Sequence, residues 1–281
     1  MQKMQVHWIV ENLTDNIEKL CKSIEDAGHK LTRLKNESKW EEDYLNKSTL
    51  EDEPTIYYGS LETLHTVKHT GYSSGVKLEP LYYANLPNFK CQYYYPRLKG
   101  YLLNRPYMLI PYGELNDFQG LIFRTFGQDN AVFIRPNSGN KRFTGQLFYK
   151  ERFVKDVYNA GFYNLQPEEL CLISSPVNIE KEYRLVIVDK KVIASSLYRE
   201  NGKHVEVEGC SGSMVSYAEQ VAYIYEPDKC FTMDIAVQKN GEFSVIELNS
   251  FSCAGYYACN TDKIVEAVSE QAIFDWKEVN E

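Results

Sequence analysis

Residues 231–249 read FTMDIAVQKNGEFSVIELN, two apolar runs about Asn240–Gly241, which reads as the strongest short turn signal in the chain. If that dipeptide is a two-residue turn, Lys239 opposes Glu242. Counting back along both runs then sets Asp234 directly opposite Glu247. Strand side chains alternate between faces, so Asn249 joins them one step further on, with Ala236 and Val245 as apolar same-face neighbours toward the turn. Directly opposed residues have Cβ atoms roughly 4.5–5.5 Å apart, and like charges there destabilise a sheet. Two carboxylates beside an apolar slab require a counter-charge. Mg²⁺ supplies one, since it takes one or two carboxylates and completes its octahedron with water and phosphate oxygens. Two other arrangements stay open at this point: one acid pairs with a nearby Arg or Lys, or a longer turn shifts the register.

The chain has 281 residues, room for one large or two ordinary domains. Its net charge of −8 argues against non-specific coating of nucleic acid, which rests on excess Lys and Arg, and no nucleic-acid partner is indicated. No apolar run approaches membrane-spanning length and the start, MQKMQVHWIVEN, lacks a signal-peptide core. Seven cysteines, odd in number and without a CxxC pair, read as reduced thiols of a cytoplasmic protein.

Residues 5–35 read strand–helix–strand: QVHWIV, then NIEKLCKSIEDAG capped by Thr14 or Asp15 and ended by Gly28, then KLTRLK. TIYYGS and LETLHTVKHT suggest a second such unit, and together they predict an open parallel sheet. Residues 71–110, rich in Pro, Gly and Tyr, carry no clear period and are expected to wander. From about residue 105 the texture becomes hairpins: DNAVFIRP, the polar loop NSGNKRFTG, QLFYKE, and EYRLVIVDKKVIASSLYR about a turn at Asp189–Lys191. Residues 200–216 read as a loop. SMVSYAEQVAYIYE has helical spacing and TDKIVEAVSEQAIFDWKEV closes as an amphipathic helix. The fold class is α+β behind an α/β head.

The loop FIRPNSGNKRFTG can turn backbone N–H groups toward an anion, with Arg135 and Lys141 as cationic donors, although neither GxxxxGK[ST] nor GxGxxG occurs. In EYR, Glu182 and Arg184 share a strand face, and Arg199 ends the partner strand.

The order of these parts resembles the ATP-grasp superfamily over roughly residues 105–265. VFIRPNSGNKRFTG is similar to its phosphate-covering strand and loop, with Arg135 where most members carry Lys. LISSPV resembles the adenine hinge, EYRLVIVDKKVIASSLYR the strand pair after it, and FTMDIAV with SVIELNSFSCAGYYAC the magnesium segment. The Arg substitution and the ending look most like small phage and bacterial members. The resemblance implies an ATP-grasp fold, two α+β subdomains clasping ATP, behind a Rossmann-like N-terminal domain. The implied domains are 1–104, 105–175 and 176–281.

It further implies that Asp234, Glu247 and Asn249 hold Mg²⁺, and that Arg135 and Lys141 hold the phosphates with the loop of Ser138, Gly139, Thr144 and Gly145. Ser174, Ser175 and Val177 would lie along adenine. Many members carry a hinge Glu for the ribose; that position looks like Ser175 here, which leaves Glu180 as the candidate. Arg184 and Arg199 would stabilise the transferring phosphoryl group or orient an acid. The implied activity is ATP-dependent ligation of a carboxylate to an amine (amino acid, peptide or protein) through an acyl-phosphate. A kinase on the same fold and a non-catalytic nucleotide-binding module are the alternatives. The substrate would be set by residues 1–104, the tyrosine-rich 72–107 and the 200–216 segment. The tyrosines near 93–95 and SFSCAGYYAC hint at an acceptor surface.

Overall fold

The computed structural model of the chain describes residues 4–11, 17–34, 53–64, 81–83, 85–138, 143–161 and 165–280. The first sheet is built from β1 (His7–Glu11), β2 (Lys30–Leu34), β3 (Thr55–Tyr58) and β4 (Leu81–Tyr82), with α1 (Ile17–Asp26) between β1 and β2. All its pairings are parallel and the strand order is β2-β1-β3-β4. α1 buries Ile17, Leu20, Cys21 and Ile24, the i, i+3, i+4, i+7 stripe of an amphipathic helix. Gly28 ends it at φ +76°, a conformation that costs glycine little. The expected caps Thr14 and Asp15 lie outside the described residues. Trp8 reaches across to the C-terminal helix, donating from Nε1 to Ser269 Oγ at 3.1 Å.

The tyrosine-rich stretch does not wander throughout. Residues Cys91–Leu98 form α2, and Cys91, Tyr94, Tyr95 and Leu98 are buried at the same helical spacing. The density of Tyr and the Pro96 near its end conceal an ordinary amphipathic pattern. Tyr94 and Tyr95 are core residues, so they offer no acceptor surface; Tyr93 alone of the three is exposed.

The second sheet, β5 (Tyr107–Pro111), β6 (Ala131–Pro136), β7 (Gln146–Tyr149) and β8 (Leu170–Ser174), is antiparallel in the order β5-β8-β6-β7. α3 (Gln119–Phe126) and α4 (Phe153–Ala160) close its core with Ile122, Phe126, Phe153 and Val157.

The third sheet is antiparallel, in the order β11-β10-β9-β12-β13. Its strands are β9 (Lys181–Val188), β10 (Lys191–Glu200), β11 (Lys203–Glu208), β12 (Cys230–Val237) and β13 (Phe243–Ser250). One face packs Leu185, Ile187, Phe231, Met233, Ile235 and Leu248 with α2 and α5 (Gly212–Ile224). The other carries Val186, Val188 and Cys230 into a core shared with α1, β1 and α6 (Thr261–Asn280). No described helix is long and apolar enough to cross a membrane.

Two hairpins depart from expectation. Residues 200–216 are not a loop: Glu200 pairs with Lys203 across Asn201 (φ +49°) and Gly202 (φ +76°), a two-residue turn that starts β11. It is the same Asn–Gly signal that stands at 240–241. There, in turn, the loop has three residues. Gln238 N donates to Glu242 O at 3.0 Å, Gly241 takes φ +81°, and pairs near the turn run one residue out of the two-residue register. A bulge at Ile246 then inserts one residue into β13 and restores the offset, so Asp234 does oppose Glu247. The expected pairing stands because two irregularities cancel. Val245 is the exception: it opposes Ile235 and packs in the apolar cluster with Leu248, not on the face of Glu247.

Candidate active site

One line of opposed residues crosses all five strands of the third sheet: Glu208, Ser196, Arg184, Asp234 and Glu247. Residues paired in this way share a face. The adjoining line, Ala194, Val186, Thr232 and Asn249, is mostly small or apolar and begins the core beneath α6. The polar line therefore sits at the edge of the hydrophobic layer, where a charge is dehydrated but reachable.

Arg184 and Asp234 form the buried centre. The Arg184 Nε donates to Asp234 Oδ1 at 2.8 Å and Nη2 to Oδ2 at 2.7 Å, a bidentate pair whose side chains are only 5% and 3% exposed. Nη1 donates to Gly255 O at 2.8 Å. Burial alone would lower the guanidinium pKa, but the Asp234 charge and hydrogen bonds outweigh it and the net shift is upward, so Arg184 stays charged. The Tyr198 and Tyr257 rings stack 4.7 Å apart, and the Arg184 Cζ lies 5.0 Å from the centroid of Tyr257. The Tyr198 hydroxyl donates to Glu182 Oε2 at 2.8 Å, with Asp234 Oδ2 at 3.5 Å.

The second pair links two sheets. Arg135, on β6, donates from Nη2 to Glu247 Oε2 at 2.7 Å and from Nη1 to Ile246 O at 3.0 Å. Ile246 is the bulge residue, so the irregularity presents a backbone acceptor to the arginine. Asn249 Nδ2 donates to Glu247 Oε1 at 3.0 Å, and Arg184 Nη2 stands 4.0 Å from the same oxygen. Behind Arg135, Asn137 pins the end of β6 to α2. Its Oδ1 accepts from Gln92 N, its Nδ2 donates to Gln92 Oε1, both at 2.8 Å, and its carbonyl accepts from Cys91 N. Gly145 allows close approach: a Cβ there would lie 2.7 Å from the Phe133 ring and 3.0 Å from Arg135 Cβ.

Of the residues singled out from sequence, Arg135, Arg184, Asp234, Glu247 and Asn249 come together. Arg199 does not join them; it is half exposed and pairs at 3.2 Å with Glu182. Ser138 and Gly145 are half-buried and Thr144 is exposed beside β6 and β7, while Gly139 and Lys141 lie outside the described residues. Ser174 is buried at the end of β8, where its Oγ accepts from Asn104 Nδ2 at 3.0 Å. Ser175 and Val177 follow, half-buried, in an extended segment. Glu180 closes that segment, donating from N to Val237 O and accepting at its carbonyl from Asn201 N. The residues not anticipated are Tyr198 and Tyr257 on Arg184, the Gly255 and Ile246 carbonyls, and the Asn137–Gln92 clamp. Tyr257 lies in SFSCAGYYAC, which the sequence suggested as an acceptor surface and not as a support for an arginine; the carbonyls have no side-chain signal at all.

The donor set can be tested for a cation. Asp234, Glu247 and the amide of Asn249 are hard oxygen ligands of the kind magnesium takes. Among the described residues no group of three or more His, Cys, Asp and Glu could hold a metal ion. Each carboxylate oxygen of the pair accepts a hydrogen bond from Arg184, Arg135 or Asn249. The set fits a hard cation once these donors give way to it, with the two carboxylates and the Asn249 amide oxygen as its ligands.

The family model of the ATP-grasp domain, R-2-K clade family 2, matches residues 105–267. No curated relative matches the sequence. The chain is similar in fold to the D-alanine–D-alanine ligase of Bacillus anthracis (TM-score 0.63, 13% identity, 98% of this chain and 99% of that one). It is similar to the D-cycloserine synthetase DcsG (TM-score 0.63, 12% identity, 95% and 99%). A third likeness is to a RiPP-associated ATP-grasp ligase of Chryseobacterium gregarium in complex with ADP and a leader and core peptide (TM-score 0.60, 12% identity, 97% and 97%).

Proposed function

Because the chain belongs to this clade of ATP-grasp domains, we propose that it is an ATP-dependent carboxylate–amine ligase. The observation that carries this reading is the ion-pair cluster itself: Arg135 of the second sheet meets Glu247 of the third, beside Arg184 and Asp234. Phosphoryl transfer requires little from a protein beyond positioning and neutralisation of charge, and this cluster has the groups for both. In this reading Arg135, Lys141 and the loop of Ser138, Gly139, Thr144 and Gly145 hold the triphosphate. Adenine lies along Ser174, Ser175 and Val177, with the ribose near Glu180. Asp234, Glu247 and Asn249 hold Mg²⁺, which when bound neutralises charge on the phosphates.

Arg184 orients the substrate carboxylate toward the γ-phosphorus, with Arg199 at the rim. The carboxylate oxygen attacks that phosphorus and ADP leaves. An amine nitrogen then attacks the acyl carbon, phosphate leaves, and the amide remains after loss of a proton. The ligase neighbours support an amino acid or peptide as substrate, and the need for ATP places the reaction in the cytoplasm in this reading.

The test is release of inorganic phosphate from ATP by the full chain, given candidate acids with hydroxylamine as a small amine. Phosphate and a hydroxamate formed only when acid and amine are both present support ligation. Phosphate retained on an acceptor with no amine requirement would replace it with a kinase. ATP affinity and turnover unchanged in Glu247→Ala would remove the metal assignment.

A further inference from the structure

We propose that Asn104 reads the base of the nucleotide, its Oδ1 accepting a hydrogen bond from the 6-amino group of a purine. The inference rests on the nucleotide-site reading above and adds to it the side chain that selects the base. Asn104 is 3% exposed, and among the described residues its buried Oδ1 meets no hydrogen-bond donor. Turning the amide over does not cure this. Ser174 Oγ donates to Ser175 O at 3.3 Å, so toward Asn104 it can only accept, and it does so from Nδ2 at 3.0 Å. The serine thereby fixes which end of the amide is nitrogen, and the oxygen is the end left over. An acceptor buried in this way costs stability until a ligand supplies the missing donor.

Asn104 stands where the second and third sheets meet. On one side, Leu103 N donates to Val245 O on β13 at 2.8 Å, which holds the segment against the third sheet. On the other, the amide is bonded to Ser174 at the end of β8. Ser174 pairs with Phe133 on β6, and Leu172, two residues back, pairs with Arg135. These four share the face from which Arg135 reaches Glu247. Ser174 lies two residues along and one strand over from Arg135, roughly 8 Å by the spacing of strands. Phosphates at Arg135 and a base at Asn104 are then two ends of one ligand on one face. Leu172 and Tyr107, the cross-strand partner of Ser174, give that face apolar surface, which suits a flat heteroaromatic ring. The edge of the ring presented to Asn104 must carry a donor. Adenine has its 6-amino group there, whereas a 6-oxo purine sets a second acceptor against the first.

Calorimetric binding of three non-hydrolysable β,γ-imido triphosphates with Mg²⁺ tests this: those of adenosine, of inosine and of purine riboside, which has only hydrogen at position 6. The wild-type chain should bind the adenosine compound at least about tenfold more tightly than either of the others, the scale of one buried hydrogen bond. In Asn104→Leu, checked for folding by circular dichroism, the three should bind alike. In Ser174→Ala the amide can turn and offer Nδ2, so inosine should gain on adenosine while purine riboside stays weakest. A merely structural role would move all three affinities together. Equal binding of the three by the wild type, or the full preference retained in Asn104→Leu, overturns the assignment to Asn104 and leaves the nucleotide site standing. No binding of any of the three removes the nucleotide site and the assignment with it. If Asn104→Leu does not fold, Ser174→Ala decides, and an unchanged order of affinities there overturns the assignment.

Discussion

The pair Arg184–Asp234 should cost the protein more to break than to remove. Both side chains are nearly excluded from water, and their contacts are 2.7 and 2.8 Å. Deleting one partner of a buried pair leaves an uncompensated charge and destabilises by about 3–5 kcal/mol. Asp234→Asn belongs at about 3 kcal/mol, the low end of that range, because Glu247 Oε1 remains 4.0 Å from Arg184. Arg184→Met belongs at about 5 kcal/mol, the high end, because Asp234 would then face its like-charged cross-strand partner Glu247. The double variant Arg184→Met, Asp234→Leu replaces both charges with apolar groups on a sheet already apolar one line away. It should therefore be more stable than either single variant, within about 1 kcal/mol of the wild type. Urea unfolding of all four proteins gives the cycle. Single variants that lose less than about 1 kcal/mol, or a double variant whose loss equals the sum of the singles, would refute the reasoning. A folded double variant that cannot use ATP would show that the pair is retained for chemistry rather than for stability.

Two further perturbations probe the surroundings. Burial pushes the Asp228 carboxyl up to about 6 from 3.8, so the folded chain holds that proton more tightly and wild-type stability declines as pH rises through this interval. Asp228→Asn should therefore be more stable than the wild type by up to about 3 kcal/mol at pH 8 and have no advantage near pH 4, by urea unfolding at both values; an equal gain at both would contradict it. Gly145→Ala introduces a Cβ against the Phe133 ring and the Arg135 stem, and the expected result is an ATP KM raised about tenfold through displacement of Arg135; an unchanged KM would show that the loop does not set the arginine.

Much of the fold was legible because α1, α6 and most strands carry their periods openly, whereas β4 and most of β5 lie in the stretch expected to wander. α2 was missed although its buried positions follow the same spacing, since Tyr and Pro carry weak helical preference. β11 was missed although Asn201–Gly202 is as good a turn signal as the one that was used. The partners of Asp234 and Glu247 were beyond reach for a different reason. β9 and β12 are neighbours joined by no hairpin, so no turn fixes their register, and Arg135 is 112 positions away from Glu247 on another sheet. Counting from a turn recovers only what the turn joins.

Strand β13 is one residue longer than its partner requires, and the surplus is a backbone oxygen for Arg135. Any side chain could stand at position 246 without altering that oxygen. A deletion there would leave Asp234 opposite Glu247 and remove the oxygen all the same. In an alignment, the position would therefore look freely variable in residue type and strict in length. A one-residue gap there would mark a chain that had lost an anchor of its arginine while every conspicuous letter of the motif survived.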